Sequence, residues 1–579
     1  MRTRILGFAV VVALFSVPTI PGLAAPVDEP GTSPPPAGTD PDQARLVDRV
    51  SVPTAVWRPC PPFREQVVGG AQESARTGAK SKAPVLDCAT VKAPLDYDLP
   101  NGPTVKVAIL RRRANNPARR VGVLTVVAGQ AGTSGTDAVR DSEQWLGKDL
   151  LDRFDIVGMD PRGVGLSTRL KCFPDGAARD EVLGMVDSEV PYTSEQESAF
   201  VRRAEAWGAA CSTTGRTLAS SMSTVQVARD LELVRRALRE QKLNYLGFSY
   251  GTFLGQVYAN LFPERFRTMA LDGLIDPVGW TGTAATAERP TQVRTGEYRM
   301  GRAVFMELLR RCEAVGDGRC SFWGDDEAPA SADKFLQRVR RTPVSITYPT
   351  GSHWVLTYDV LVTSTLRFLL TPVPNELETF VGFWSSFMEF EDPPTAQPGT
   401  VGAGAAASPL AAKTSAWGDS PEDGSGDAGL AVLCTDGVHA RSASSWPRTA
   451  AAVEREVPDL SLPASWGSAP CALDTWTARD EDRYTGPFDR RTVAPILLVA
   501  NTWDPLTPYD QAVAVSRMLP NSRLLTSDGW GHTSYDGSSC VSQALDKYLI
   551  TGALPPQGTT CHAPQPYEET ASGVPGAGG

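Results

Sequence analysis

Five short apolar runs, spread along a 579-residue chain, constrain its fold more than anything else in it. They read VGVLTVVAG (121–129), FDIVGMD (154–160), LNYLGF (243–248), FRTMALDG (266–273) and APILLVAN (494–501). Each is continuous rather than alternating and rich in β-branched residues, which suits a strand buried on both faces. Between them apolar residues recur at helical spacing, as Val227, Leu231, Val234 and Leu238 do. Strands alternating with helices make a mostly parallel sheet covered by helices, so the class is α/β. With 41% hydrophobic residues the chain can bury a large core, and its length suits two or more domains or one domain enlarged by an insertion.

The chain opens MRTRILGFAVVVALFSVPTIPGLAAP: Arg2 and Arg4, an apolar stretch, then small residues around Ala24. That is the three-part layout of a secretory signal, read as residues 1–24 with cleavage near Ala24. Pro18 and Pro21 break the apolar run, which falls short of the roughly 20 residues a spanning helix needs. Residues 25–55 form a Pro-rich polar tether, and order is expected to begin near Val56. Then follow a first core segment (56–280), a mostly helical cap insertion (281–430) with a disordered loop near 393–429, a C-terminal core segment (431–562) and a loose tail (563–579). The insertion carries amphipathic patterns such as RMGRAVFMELLRRC and DVLVTSTLRFLL. Its aromatic run FVGFWSSFMEF is expected to be the insertion's own core, with a pocket wall as the alternative.

Ten cysteines make an even set, which fits an oxidising, extracellular location. Pairing of sequence neighbours is expected: Cys60 with Cys88, Cys172 with Cys211, Cys312 with Cys320, Cys434 with Cys471, and Cys540 with Cys561. No C-x-x-C or clustered Cys/His spacing is present, so no structural zinc site is expected. Loss of Arg2 and Arg4 with the signal takes the formal charge from −10 to −12, which argues against nucleic acid or an anionic membrane as partner. No later segment has a transmembrane pattern, so no stable membrane insertion is expected, and the exported chain is expected to be a monomer.

Ser249 stands in the stretch YLGFSYGT (245–252), where a buried strand ends and the helical pattern TFLGQVYANLF begins. A G-x-S-x-G match alone is weak in a chain with 52 glycines; its strand-turn-helix setting makes it strong. Glycines at 247 and 251 suit a tight turn crowded by the following helix, whose N-terminus favours negative charge at the serine. Upstream, Ser223-Thr224-Val225-Gln226 has the form of a capping box for the helix feeding this strand. A serine hydroxyl needs a base, normally a histidine held by a carboxylate. Of four histidines, His562 lies in the tail, His353 in the insertion and His439 in a polar stretch beyond Cys434. His532, in the glycine-flanked SDGWGHTSYDG, is the best base by elimination and by setting. Asp504, in ILLVANTWDPLTP, follows a buried strand; Asp-Pro also starts turns, but the carboxyl end of a strand is where open α/β sheets place their sites. The expected oxyanion donors are the backbone N–H groups of Tyr250 and of Gln130, the latter in AGQAGTSG (128–135). That loop lacks the G-K-[ST] ending of a phosphate cradle, and no metal or organic cofactor is implied.

With these pieces located, APLDYDLPNG, AGQAGTSG, FDIVGMDPRGVGLST, LNYLGFSYGTFLGQVYANLFPERF, LDGLIDP, NTWDPLTP and GWGHTS are similar to stretches of the secreted tripeptidyl aminopeptidases of actinomycetes, α/β-hydrolases grouped with the proline iminopeptidases. The matches run from about 93 to 533. The resemblance implies a serine peptidase with Ser249, Asp504 and His532 as its triad, releasing tripeptides or other short units from peptides with a free N-terminus. It assigns Asp160 and Arg162 to a structural turn. It also makes 431–562 the family's terminal domain and the helical segment its insertion. Relatives usually carry Gly-Gly-Pro-Gly where this chain has Gly129-Gln130-Ala131-Gly132; a backbone donor survives that change, and the shape of the loop stays open. An exopeptidase must neutralise the substrate's ammonium. Asp436 and Glu307 are candidates, each also readable as an ordinary solvated or structural carboxylate. The same machinery opens esters, so an ester hydrolase is the first alternative and a non-catalytic exported binding protein the second.

Overall fold

The computed structural model describes residues 45–60, 84–127, 129–185, 188, 190–316, 320, 327–347, 353–389 and 425–568. The expected signal, most of the tether, residues 393–424 of the low-complexity stretch and residues 569–579 of the tail lie outside them. In chain order the strands are β1 (Arg58–Pro59), β2 (Leu86–Pro94), β3 (Thr104–Arg112), β4 (Gly122–Val127), β5 (Phe154–Met159), β6 (Leu243–Phe248), β7 (Phe266–Asp272), β8 (Val344–Thr347), β9 (His353–Leu356), β10 (Ile496–Trp503), β11 (Ser522–Trp530) and β12 (Thr560–Cys561). All but β8 and β9 join one sheet in the order β1-β2-β3-β5-β4-β6-β7-β10-β11-β12.

Each of the five apolar runs becomes a strand in the middle of this sheet. β5 and β6 are buried at every position because helices cover both faces. The helices Thr224–Ala237, Tyr250–Leu261 and Tyr509–Met518 share one apolar cluster, and Gly135–Arg140, Lys148–Arg153 and Ser539–Thr551 share another. From β5 through β4 to β12 neighbours run parallel; β1, β2 and β3 are antiparallel, and β3 pairs antiparallel with β5. The chain leaves β4 for β5 on one side and returns to β6 on the other. The carboxyl ends of β4 and β6 therefore flank the crevice where open α/β sheets hold their ligands.

Residues 291–386 contain the helices Glu297–Val315, Ala328–Arg341, Tyr358–Phe368 and Pro374–Ser386, together with the antiparallel β8–β9 pair, which the helical reading of this region did not include. They pack around a common core, which Val190, Leu460, Leu462, Trp530 and Tyr567 join from outside: Phe380, Val381 and Trp384 are buried, with Trp384 edge-on to Phe305 and Phe335. This layer is also docked on the sheet. Arg311 lies 4.9 Å from the Trp530 ring and 5.8 Å from that of Trp503, two rings stacked 5.1 Å apart at the ends of β11 and β10.

Several expectations at element ends give way to packing. Leu46 and Val47, inside the stretch read as tether, are buried, and Arg236 holds the Val47 and Val50 carbonyls, so the packed chain starts before Val56. Residues 425–429 open the helix Ser425–Asp436 instead of ending a loop, and Tyr567 of the expected tail is buried. Ser223 makes no side-chain cap bond. Thr224 N donates instead to Asp436 (2.7 Å) and Ser223 N to Asp480 (3.1 Å), while Gln226 turns to Asp480 and Asp482. This helix start is buried, so carboxylates from far along the chain replace a local box.

All ten cysteines pair, each with its neighbour in sequence. Among the described residues no helix is long and apolar enough to cross a membrane.

Candidate active site

Ser249 sits between the last residue of β6 and the helix Tyr250–Leu261 with φ 53° and ψ −119°. Such a backbone costs an L-residue on the order of 1–3 kcal/mol and persists only where the surroundings fix it. They do. Ser249 N donates to the Asp272 carbonyl at the end of β7 (3.1 Å), and the Ser249 carbonyl accepts from Thr252 N (2.8 Å) and Thr252 Oγ1 (2.6 Å). A Cβ at position 247 would lie 2.5 Å from the Gly251 carbonyl oxygen, and one at 251 would lie 2.5 Å from that of Val127. Both glycines are therefore required by close approach of strand and helix. The turn raises the serine to the crevice, half-buried.

Asp504 follows β10 and His532 follows β11, parallel neighbours in the sheet. His532 Nδ1 lies 3.1 Å and 3.0 Å from the two Asp504 carboxylate oxygens. Asp504 is fully buried and also accepts from Leu506 N, Thr507 N, Thr507 Oγ1 and Thr533 N. Burial opposes its ionisation, but the His532 charge and these donors outweigh that and hold the carboxyl below its usual range. For His532 burial again opposes the charge, and Asp504, with Asp272 and Glu297 near it, outweighs burial and raises the imidazole. Its other nitrogen, Nε2, is buried without a hydrogen-bond partner among the described residues. A Cβ on Gly273, next to the strand end that anchors Ser249, would meet His532 Cε1 at 3.2 Å. The imidazole thus lies at the same rim as the serine turn.

The remaining pieces surround that rim. β4 and β6 pair with Val127 opposite Gly247, which sets the Gly129–Gly132 turn beside Ser249 and Tyr250. Gln130 is exposed at the head of that turn. Tyr250 is the first residue of its helix, where the backbone N–H has no partner within the helix. Asp160 ties the turn down: its carboxylate accepts from Ser134 Oγ (2.7 Å), Thr136 N (3.0 Å) and Leu166 N (2.8 Å). Arg162 is buried against Asp230, which also accepts from Tyr97. Both residues of the Asp-x-Arg-Gly segment are thus committed to structure.

Neither candidate for the substrate ammonium is free. Asp436 accepts from Thr224 N, Thr224 Oγ1 and Trp280 Nε1, and Glu307 pairs with Arg310 and Arg311. A different acid emerges. Glu297 opens the helix Glu297–Val315 and is half-buried, with no hydrogen-bond or ion-pair partner among the described residues. Burial raises its carboxyl to about 7, and its charge couples to both His532 and Asp504. The preceding residue, Gly296, approaches Pro508 of the loop after Asp504, and Arg299 pairs with Asp510. Those contacts dock the start of this helix beside the site.

Residues 461–561 match a family model described as TAP-like protein, and residues 131–294 one described as the alpha/beta hydrolase fold. The chain has the α/β-hydrolase fold, and its segment 461–561 is similar to the TAP-like proteins. This α/β-hydrolase is 27% identical over 548 residues to serine protease Hip1 of Mycobacterium tuberculosis, spanning 90% of this chain and 93% of the relative. It is 26% identical over 493 residues to the tripeptidyl aminopeptidase of Streptomyces coelicolor (82% and 83%). To carboxylesterase B of Mycobacterium tuberculosis it is 29% identical over 558 residues (93% and 94%). The relatives' names span peptidases and an esterase, all of them hydrolases.

Three supports of the site escaped the sequence reading. Asn501 Nδ2 donates to the Trp530, Gly531 and Thr533 carbonyls, and Asp272 accepts from Ser534 N and Tyr535 N; together they hold the loop around His532 from both sides. His532 N donates to the Leu370 carbonyl (2.9 Å), which brings the helical layer to the imidazole. Only Asp272 carried a sequence signal, as the acid ending the run FRTMALDG. Two groups of metal-ligand type occur among the described residues, but Cys172 and Cys211 are joined in a disulfide beside Asp427, and Asp96, Asp98 and Glu481 are surface carboxylates.

Proposed function

We propose that this α/β-hydrolase is a secreted serine exopeptidase that releases tripeptides or other short units from free peptide N-termini. In this reading His532 takes the Ser249 proton, Ser249 attacks the peptide carbonyl, and the Tyr250 and Gln130 N–H groups hold the oxyanion. Asp504 orients His532 and stabilises its cation; water then opens the acyl-enzyme. Export is supported by the signal layout of residues 1–24 and by ten paired cysteines. The observation that carries the peptidase reading is Glu297: a half-buried carboxylate without a partner among the described residues, in electrostatic reach of His532, is suited to a substrate ammonium and superfluous for a neutral ester. The esterase reading rests on the relative named carboxylesterase B.

Peptide amides with free and with acetylated N-termini, assayed beside simple esters, decide between them. The exopeptidase requires the free amine; equal rates on free and acetylated peptides, with faster ester hydrolysis, would leave the esterase. Glu297→Gln is expected to raise KM for free-amine peptides by about 10- to 100-fold, the worth of a charge-assisted contact, with a far smaller effect on esters. An unchanged KM removes Glu297 from this role.

The pH dependence separates the two acids' contributions. Asp504 and its neighbours raise His532, so the neutral base is lost on the acid side, as pH falls through a value above the ordinary imidazole pKa of about 6.5. Esters should report this limb alone. Free-amine peptides should show a further rise in KM as pH falls through about 7, where Glu297 takes up its proton. Ester activity that stays flat down to pH ~5, well below the ordinary imidazole pKa, would rule out His532 as base.

A further inference from the structure

Asp436 is released from the role of ammonium acceptor by its three donors, and what those donors are connected to gives it another. Its Oδ2 accepts from Thr224 Oγ1 (2.7 Å) and from Trp280 Nε1 (3.0 Å), and its Oδ1 from Thr224 N (2.7 Å). Thr224 Oγ1 lies 2.7 Å from the Tyr250 hydroxyl. Thr224, Tyr250 and Asp436 are all almost fully buried. Thr224 has one hydroxyl proton, and an ionised carboxylate can only accept. While Asp436 is ionised, the proton of Thr224 therefore goes to Asp436 and the Tyr250 hydroxyl donates to Thr224; burial raises this carboxyl to about 7, so the direction Tyr250 to Thr224 to Asp436 holds above that pH.

Three parts of the molecule meet at this carboxylate. Tyr250 is the residue after Ser249. Trp280 is half-exposed, its ring 5.9 Å from Tyr250 and 5.6 Å from Phe253, just before the chain enters the helical layer. Asp436 itself ends a helix that the Cys434–Cys471 disulfide staples down, and two residues later Val438 N donates to the Thr281 carbonyl. No cation pairs with Asp436 among the described residues; the start of the 14-residue helix Thr224–Ala237 faces it instead. A buried carboxylate is costly to keep, and this one is held by groups that all border the serine turn.

We propose that Asp436 is a positioning residue for the reaction: through Thr224 it fixes Tyr250, and with it the N–H beside Ser249, and through the indole N–H it fixes the Trp280 ring next to them. The inference rests on the reading of Ser249 as nucleophile and of Tyr250 N as an oxyanion donor. A displacement of the Tyr250 side chain tilts the first peptide of its helix, and donors to an oxyanion lose their value over displacements of about 1 Å.

The test compares Asp436→Asn, Thr224→Val, Thr224→Ser and Tyr250→Phe with the parent, reading the rate at which a fluorophosphonate labels Ser249, kcat and KM on one peptide and one ester, and the thermal unfolding midpoint. Asp436→Asn puts a donor where Thr224 or Trp280 donates, and Thr224→Val cuts the chain at nearly constant volume. Both are expected to slow labelling and kcat on the order of tenfold on both substrates, with KM little moved. Thr224→Ser keeps the hydroxyl and should recover most of the rate. Tyr250→Phe removes only the far end of the chain and should fall between. Folded Asp436→Asn and Thr224→Val that label at the parent rate overturn the inference. So does a rate loss that merely tracks the unfolded fraction at the assay temperature, since that is a structural role alone. A parent that takes no label at all overturns the nucleophile reading instead.

Discussion

Ser249→Ala is expected to lower kcat by about six orders of magnitude and to abolish fluorophosphonate labelling, while leaving the unfolding midpoint within about 1–2 °C of the parent. The size follows from the site's design. In the proposed mechanism the imidazole and the expected oxyanion donors do little without a nucleophile between them, so the nucleophile or the base lost alone costs nearly as much as the whole triad, and the carboxylate less. The stability expectation follows from the backbone. At φ 53° alanine is as strained as serine, and among the described residues the Ser249 side chain makes no cap hydrogen bond; the elbow is held by backbone bonds to Asp272 and Thr252, which alanine keeps. Retained labelling would place the reactive serine elsewhere. Retained turnover without labelling would point to chemistry that bypasses Ser249.

The sheet's centre was legible because burial on both faces leaves a crude signature, a continuous apolar run. β2 shows where that signature fails. Near the sheet edge LDCATVKAP alternates between buried and exposed positions, and no unbroken apolar run marks it. The serine turn was legible through its glycines, whose necessity is the close approach of two backbones. Glu297 was not, because its meaning lies in the absence of a partner, and sequence shows which residues exist but not which are left unpaired. The same reason left Asp436 and Glu307 open between an ammonium site and a structural role: Thr224 is 212 residues away from Asp436 along the chain, so nothing local revealed that its oxygens were taken. Capping failed alike at Ser223, where a correct local pattern lost to carboxylates from beyond residue 435.

Asp504→Asn should cost about four orders of magnitude in kcat with the fold intact, as the removal of a triad carboxylate does when the shape is kept. Five donors converge on the two Asp504 oxygens: three backbone N–H groups, the Thr507 hydroxyl and His532 Nδ1. An asparagine supplies one oxygen and one NH2. If the oxygen stays with the backbone donors, the NH2 faces His532 and forces Nδ1 to accept, which puts the ring proton on Nε2. In the proposed mechanism that is the nitrogen that receives the serine proton. Asp272 cannot step in, since its carboxylate is held by Ser534 N and Tyr535 N. The residual activity should carry a second mark. Asp504 is the strongest influence raising His532, so its neutralisation lowers the imidazole pKa, and the acid limb measured on an ester should move to lower pH. A loss below tenfold, or a limb that stays where it was, would mean that Asp504 anchors its loop without governing the histidine.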